Sequence, residues 1–294
     1  MTVCLFVTCE ELPGFDPDDE LAARALAELG ADVRPAVWTD PSVDWGAADV
    51  CVLRSTWDYH RRARQFDRWI EDVSRQTALV NPATVVRWNA HKFYLRDLER
   101  TGVAVVPSEW LERGSVTELS ELMLGRGWEE AVIKPARGAS AHGVMHVRGT
   151  DANVREGSAY LREMLETEDA IVQPYLESIA THHERALVFI GGVYSHAVTK
   201  APFMHAGARL GDRAGLPPGA SGEVPVDATA AEIAAAVAAL RASPAGHAYA
   251  RVDVVRDDAE RVCVLEVELI EPTLYLYADE AAPSRLARAI LGNL

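Results

Sequence analysis

Three carboxylates that alternation brings to one face of a hairpin are the strongest chemical signal in this sequence. The stretch runs Tyr249-Ala-Arg251-Val-Asp253-Val-Val-Arg, turns through Asp257-Asp-Ala-Glu260, and returns as Arg-Val-Cys263-Val-Leu-Glu266-Val-Glu268-Leu-Ile. Both arms carry the two-residue period of a strand. A four-residue turn sets Asp253 opposite Val264, and a two-residue turn sets it opposite Val262. Either even loop puts Asp253, Glu266 and Glu268 on the same face. Val252, Val254, Cys263, Leu265, Val267 and Leu269 take the other face and are expected in the core. Carboxylates crowded this way repel, and Glu is a poor strand former. A hard divalent cation such as Mg²⁺, which takes oxygen ligands alongside nucleotide phosphates, would remove the conflict. A solvated acidic face is the plain alternative.

A second group of residues suits phosphate. Lys134 closes an apolar strand, where a lysine either snorkels to water or meets an anion. After it runs Pro135-Ala-Arg-Gly138-Ala-Ser140-Ala-His142-Gly143, whose small residues let backbone N–H groups close over phosphate oxygens. The loop returns into a strand, so it is a hairpin. Neither the Gly-x-x-x-x-Gly-Lys-Ser/Thr loop nor the Gly-x-Gly-x-x-Gly fingerprint occurs. Lys92 follows Arg87-Trp-Asn-Ala-His at the start of a helix and carries no signal alone. Gln173-Pro-Tyr175-Leu176-Glu177 is similar to an adenine-reading hinge, with extended backbone for the base edge and an acid for ribose hydroxyls.

These residues need a frame. The first hundred alternate strand and helix, with strands at 3–8, 32–38 and 50–54 and helices at 19–29, 64–74 and 90–100. That pattern implies a parallel sheet with helical crossovers, whose ligands gather at the carboxyl ends of strands. Arg54-Ser55-Thr-Trp57-Asp58-Tyr leaves a strand at such an end, so it is either a substrate loop or an ordinary polar one. Strands at 131–134, 144–147 and 170–173 form a middle segment. A Gly191-Gly192 hairpin, a Gly/Pro/Ala-rich loop at 204–222 expected to be the most mobile part, a helix at 229–242, the acidic hairpin and a helix at 280–291 complete the chain.

Bulk composition narrows the partners. The 294 residues are 49% hydrophobic with no long polar tract, which describes a folded protein of two or three lobes. A formal net charge of −15 argues against duplex nucleic acid and against anionic membranes. Cys4, Cys9, Cys51 and Cys263 lack metal-binding spacing and read as buried hydrophobes in a reducing cytoplasm. The apolar start is too short for a signal peptide and no run would span a bilayer.

Lysine, small-residue loop, hinge and acidic hairpin, in this order, resemble the ATP-grasp superfamily, and within it the glutathione-synthetase-like carboxylate–amine ligases. The resemblance spans nearly the whole chain. It implies an α/β ATP-grasp fold with an N-terminal parallel α/β domain at 1–102, a lid domain at 103–178 and a catalytic domain at 179–294. It also implies that Lys92 and Lys134 contact ATP phosphates and that the 138–143 loop, with Gly138, Ser140, His142 and Gly143, covers them. Gln173, Tyr175, Leu176 and Glu177 would bind adenosine, and Asp253, Glu266 and Glu268 would hold Mg²⁺, two ions, with Mn²⁺ as an alternative. Two departures stand out: Glu268 replaces the family's usual Asn, and Ala141 and His142 stand where glycines are common.

In the resembled chemistry a substrate carboxylate attacks the γ-phosphate, and an amine then displaces phosphate from the acyl phosphate. Arg185 and Lys200 are candidates for the γ-phosphate and acyl oxygen. Arg251 is a candidate for a substrate carboxylate or for a salt bridge to Glu268, and Glu271 for a substrate amino group. Arg54, Ser55, Trp57 and Asp58 suit a small amino-acid-like substrate. With Asn81-Pro and the Arg87-to-Lys92 run, they look like a subgroup that includes the ligase closing the D-cycloserine ring. There, O-ureido-D-serine is activated at its carboxylate and an internal nitrogen attacks. Intermolecular amino-acid ligation is the alternative of the same class, and a non-catalytic nucleotide-binding module that of another. The family also implies a cytoplasmic dimer or tetramer.

Overall fold

The computed structural model describes residues 1–139, 141–200 and 222–292. Its first sheet has the order β2-β1-β3-β4, from β1 (Val3–Thr8), β2 (Asp32–Val37), β3 (Val50–Ser55) and β4 (Ala78–Val80), and all its pairings are parallel. Such a sheet must be covered on both faces. Helix α1 (Pro17–Glu28) packs Ala22 and Leu26 on one face, and α2 (Ala63–Val73) packs Phe66, Ile70 and Val73 on the other. Asp16 caps α1 through the Asp18 N–H, ahead of Pro17 in the first turn.

The helix expected at 90–100 is shorter, α4 (Tyr94–Arg100), and a separate helix not expected from the sequence, α3 (Ala83–Asn89), precedes it. The buried Asn89 amide is held by the Val267 carbonyl and the Leu269 N–H, anchoring the end of α3 against the acidic hairpin. The chain then turns, and Lys92 sits in that turn with its N–H on the Ala136 carbonyl at 2.7 Å.

A second, antiparallel sheet has the order β5-β8-β6-β7, from β5 (Glu109–Leu111), β6 (Ala131–Pro135), β7 (Met145–Val147) and β8 (Ala170–Pro174). Helices α5 (Leu119–Arg126) and α6 (Asp151–Thr167) cover one face of it. After α7 (Ser178–His182), a third sheet has the order β11-β10-β9-β12-β13. Its strands are β9 (Glu184–Ile190), β10 (Val193–Lys200), β11 (Val224–Val226), β12 (Tyr249–Arg256) and β13 (Val262–Glu268). Helix α8 (Ala230–Ala242), opened by a Thr229/Glu232 capping box, packs on the face that carries Leu187, Phe189, Val252 and Val254. Helix α9 (Ala282–Leu291) returns to the first unit and packs on α1.

The acidic hairpin is longer-looped and less regular than even turns allow. Arg256 pairs with Val262, so residues 257–261 form the loop, and a bulge beyond Val254 shifts the register to Asp253↔Glu266 and Arg251↔Glu268. The bulge leaves the carboxylates together but exchanges core residues. Val264 joins Val252 and Val254 under α8, whereas Cys263 and Leu265 pack with Val106, Leu176 and Val255.

Buried polar side chains staple the first sheet to the third. The Asn81 amide donates to the carbonyls of Tyr249 and Leu269 and accepts from the Ala248 N–H. The Tyr249 hydroxyl donates toward the carbonyls of Leu53 and Ile270.

Candidate active site

Asp253, Glu266 and Glu268 present oxygens that all lie within 4.8 Å of one another. Cations neutralise each of them. Arg251 meets Asp253 at 2.9 and 3.0 Å and also pairs with Glu268, while Lys92 pairs with Glu266. Lys200 reaches Asp253 at 2.5 Å and also pairs with Glu184. Burial pushes the Asp253 carboxyl up, but Arg251 and Lys200 outweigh it and hold Asp253 well below the usual range. Glu268 is raised by burial despite Arg251. Glu271 is raised to about 8, by burial first and then by Glu268.

Lys134 differs from the other cations. It is 8% exposed, and among the described residues no hydrogen bond or ion pair reaches its ammonium. Burial lowers it to about 8, against the pull of Glu266. A buried ammonium without a close counter-ion is costly unless an anion completes it.

The small-residue loop beside Lys134 is seated on the first unit. Ala139 is buried among Cys9, Trp38 and Tyr59, Arg137 pairs with Asp67 at 3.1 Å, and the His142 ring lies 4.9 Å from that of His60. Gly143 has φ of 71°, and a Cβ there would come within 3.2 Å of Pro135, so a glycine is needed. Gly138 is similarly close to Pro135, at 3.3 Å. Ala141, at φ 58°, adopts the same left-handed region without being glycine. Ser140 lies outside the described residues, as does most of the 204–222 loop.

The hinge is only partly open to a base. The Gln173 amide donates to Ser108 at 2.8 Å, and the Tyr175 N–H is taken by the Glu130 carbonyl at 3.0 Å. The Tyr175 ring stacks on His146 at 4.1 Å, Leu176 is buried with Val255 and Cys263, and Glu177 is exposed.

The 54–58 segment is engaged differently from a free substrate loop. Arg54, 2% exposed, binds Asp19 at 2.6 Å and the Pro272 carbonyl at 3.2 Å, and Ser55 donates to Asp19 at 2.7 Å. Asp58 accepts from the Trp38 indole at 2.7 Å and turns into the first unit. Trp57 donates to the Glu271 carbonyl at 3.1 Å, next to the Pro272 carbonyl that Arg54 holds. Arg54 and Ser55 are therefore held by the acidic first turn of α1, against which the end of β3 lies, and Asp58 by Trp38.

Arg185 also departs from expectation. It pairs with Val254 across β9 and β12, on the α8 face, and lines a small cleft there with His182, His183, Glu232 and Arg256. Its neighbour Glu184 is the residue on the carboxylate face, joined to Lys200. A tight Gly191-Gly192 turn alone would set Glu184 opposite Thr199, but a bulge between Tyr194 and His196 sets it opposite Lys200. Glu184 was thus missed. Its signal was the strand alternation it shares with Ala186 and Val188.

Residues 4–81 match the family described as the N-terminal domain of D-cycloserine synthetase DcsG, and residues 114–275 match the ATP-grasp domain of prokaryotic glutathione synthetase. The chain is 33% identical over 288 residues to the cycloserine biosynthesis protein DcsG of Streptomyces lavendulae, covering 92% of each. It superposes on a crystal structure of D-cycloserine synthetase DcsG with TM-score 0.88 and 29% identity, over 99% of each chain. A D-alanine–D-alanine ligase from Bacillus anthracis complexed with ATP shares the fold at TM-score 0.68 and 14% identity, over 100% of this chain and 97% of the other.

Proposed function

We propose that this chain, which belongs to the ATP-grasp family and is an ATP-dependent ligase homologous to D-cycloserine synthetase, closes a five-membered ring from O-ureido-D-serine. ATP and divalent metal are the family's requirements. Mg²⁺, as a pair of ions with Mn²⁺ as a substitute, is our assignment. Asp253, Glu266 and Glu268 would hold the ions, since clustered carboxylate oxygens suit hard cations. Bound ATP supplies the phosphoryl group that converts a carboxylate into an acyl phosphate.

The observation that carries this proposal is Lys134, a buried lysine whose ammonium no hydrogen bond or ion pair reaches among the described residues, beside a carboxylate cluster. It and Lys92 would hold the phosphates, under the loop that contains Gly138, Ser140, His142 and Gly143. Gln173, Tyr175, Leu176 and Glu177 would border the nucleoside, with the Leu176 N–H as donor to the base. Arg251 and Lys200, both beside Asp253, would steady the oxyanion that develops at the acyl carbon. Glu271, its main chain held by Trp57, would receive the substrate's amino group.

In this proposal the segments 1–102, 103–178 and 179–294 act as substrate platform, lid and catalytic unit. A cytoplasmic dimer or tetramer is part of it, and sedimentation equilibrium reads the subunit number. No helix among the described residues is long and apolar enough to cross a membrane. The chemistry is tested by incubating the protein with ATP, Mg²⁺, O-ureido-D-serine and hydroxylamine. Hydroxamate with matching ADP is expected, and ADP release without hydroxamate at any hydroxylamine concentration would argue against an acyl phosphate.

A further inference from the structure

We infer that Asp18, in the first turn of α1, is a positioning residue for the ligase reaction, acting on Arg251 through the turn that carries Tyr275. This rests on Arg251 belonging to the reaction site.

Asp18 is 1% exposed, and both of its carboxylate oxygens are used. Oδ2 accepts the Leu274 N–H at 2.9 Å, and Oδ1 accepts the Leu276 N–H at 2.5 Å. The two amides flank Tyr275, which sits at φ 50° and ψ 44°, a left-handed conformation that a residue with a Cβ adopts only when its surroundings enforce it. The Asp18 carboxylate grips the chain on both sides of that residue. The held conformation sets the Tyr275 ring under Arg251, with the guanidinium 5.7 Å from the ring centroid. The same turn offers the Thr273 carbonyl to Arg251 at 3.2 Å. Ring and carbonyl thus fix one side of the guanidinium whose other nitrogens hold Asp253 and Glu268. An acid near the start of the chain thereby sets the geometry of an arginine more than two hundred residues away.

Substitution separates this role from plain support. Asp18→Asn turns an NH₂ toward one backbone N–H and releases one side of the turn. Tyr275→Leu keeps apolar bulk and leaves the buried carboxylate untouched, but removes the π-face beneath Arg251. The experiment measures kcat, KM for ATP and melting temperature for wild type, Asp18→Asn, Tyr275→Leu and the double variant. Each single variant is expected to lower kcat at least tenfold with KM for ATP within about twofold, because Lys92, Lys134 and the hinge are unaffected. The double variant is expected to be no slower than the slower single one. Wild-type kcat in Tyr275→Leu, or multiplicative losses in the double variant, would overturn the inference, and Tyr275→Leu decides it if Asp18→Asn fails to fold. No turnover by the wild-type protein would instead count against the ligase substrate proposed above.

Discussion

Arg251 and Asp253 stand two residues apart on one strand and meet in a two-pronged ion pair at 2.9 and 3.0 Å. The same guanidinium takes Glu268, so in the free protein it supplies part of the charge that a bound cation would bring. Breaking a buried pair of this kind costs about 3–5 kcal/mol, because the remaining carboxylates keep their charge. Arg251→Ala is expected to melt well below wild type without metal, and saturating Mg²⁺ is expected to recover much of the difference. Melting unaffected by Mg²⁺ would count against a cation site at these carboxylates.

Lys134 predicts a stability that depends on pH. Burial lowers it in the folded protein to about 8 from the ordinary lysine value of 10.5, so between these limits the unfolded chain binds the proton more readily. Stability from this residue therefore rises as pH climbs from about 8 to 10.5, by roughly 3 kcal/mol in total. Lys134→Met is expected to remove that rise, stabilise the nucleotide-free protein near neutral pH and weaken ATP binding at least tenfold. Chemical denaturation across pH, with calorimetric ATP titration, checks both halves.

Glu271 behaves in the opposite sense. Burial and Glu268 raise it to about 8 from 4.5, so its contribution to stability is complete below 4.5 and lost as pH rises through about 8. Glu271→Gln is expected to flatten the wild-type fall in stability across that window. A fall that persists unchanged in the variant would assign it to other groups.

Arg185 and Lys200 are expected to part company. Arg185, on the α8 face, is expected to tolerate Ala with kcat changed less than about twofold. Lys200→Met leaves Asp253 and Glu184 facing each other and is expected to lower kcat at least a hundredfold, a transition-state loss near 3 kcal/mol. Equal losses in the two variants would mean that Arg185 reaches the carboxylate face.

How much of this the sequence revealed depended on the range of the signal. Strand alternation is local, and it brought Asp253, Glu266 and Glu268 to one face correctly. It could not show the bulge beyond Val254, which buries Val264 under α8 in place of Leu265. The same limit hid Glu184, since a second bulge sets the pairing with Lys200. Order along the chain made the ATP-grasp fold legible. Side-chain partners did not follow from it: Arg54 looked free for substrate, whereas Asp19, thirty-five residues earlier, holds it. Asp18 gave no signal at all, because its partners Leu274 and Leu276 are near the other end of the chain.

The most direct measurement is mass spectrometry of the products formed from ATP, Mg²⁺ and O-ureido-D-serine as sole organic substrate. Ring closure is expected to yield D-cycloserine, ammonia and carbon dioxide, with one ADP per ring and no added amine. ADP formation that requires a second amine, with a joined product retaining the ureido group, would contradict ring closure and identify an intermolecular ligase.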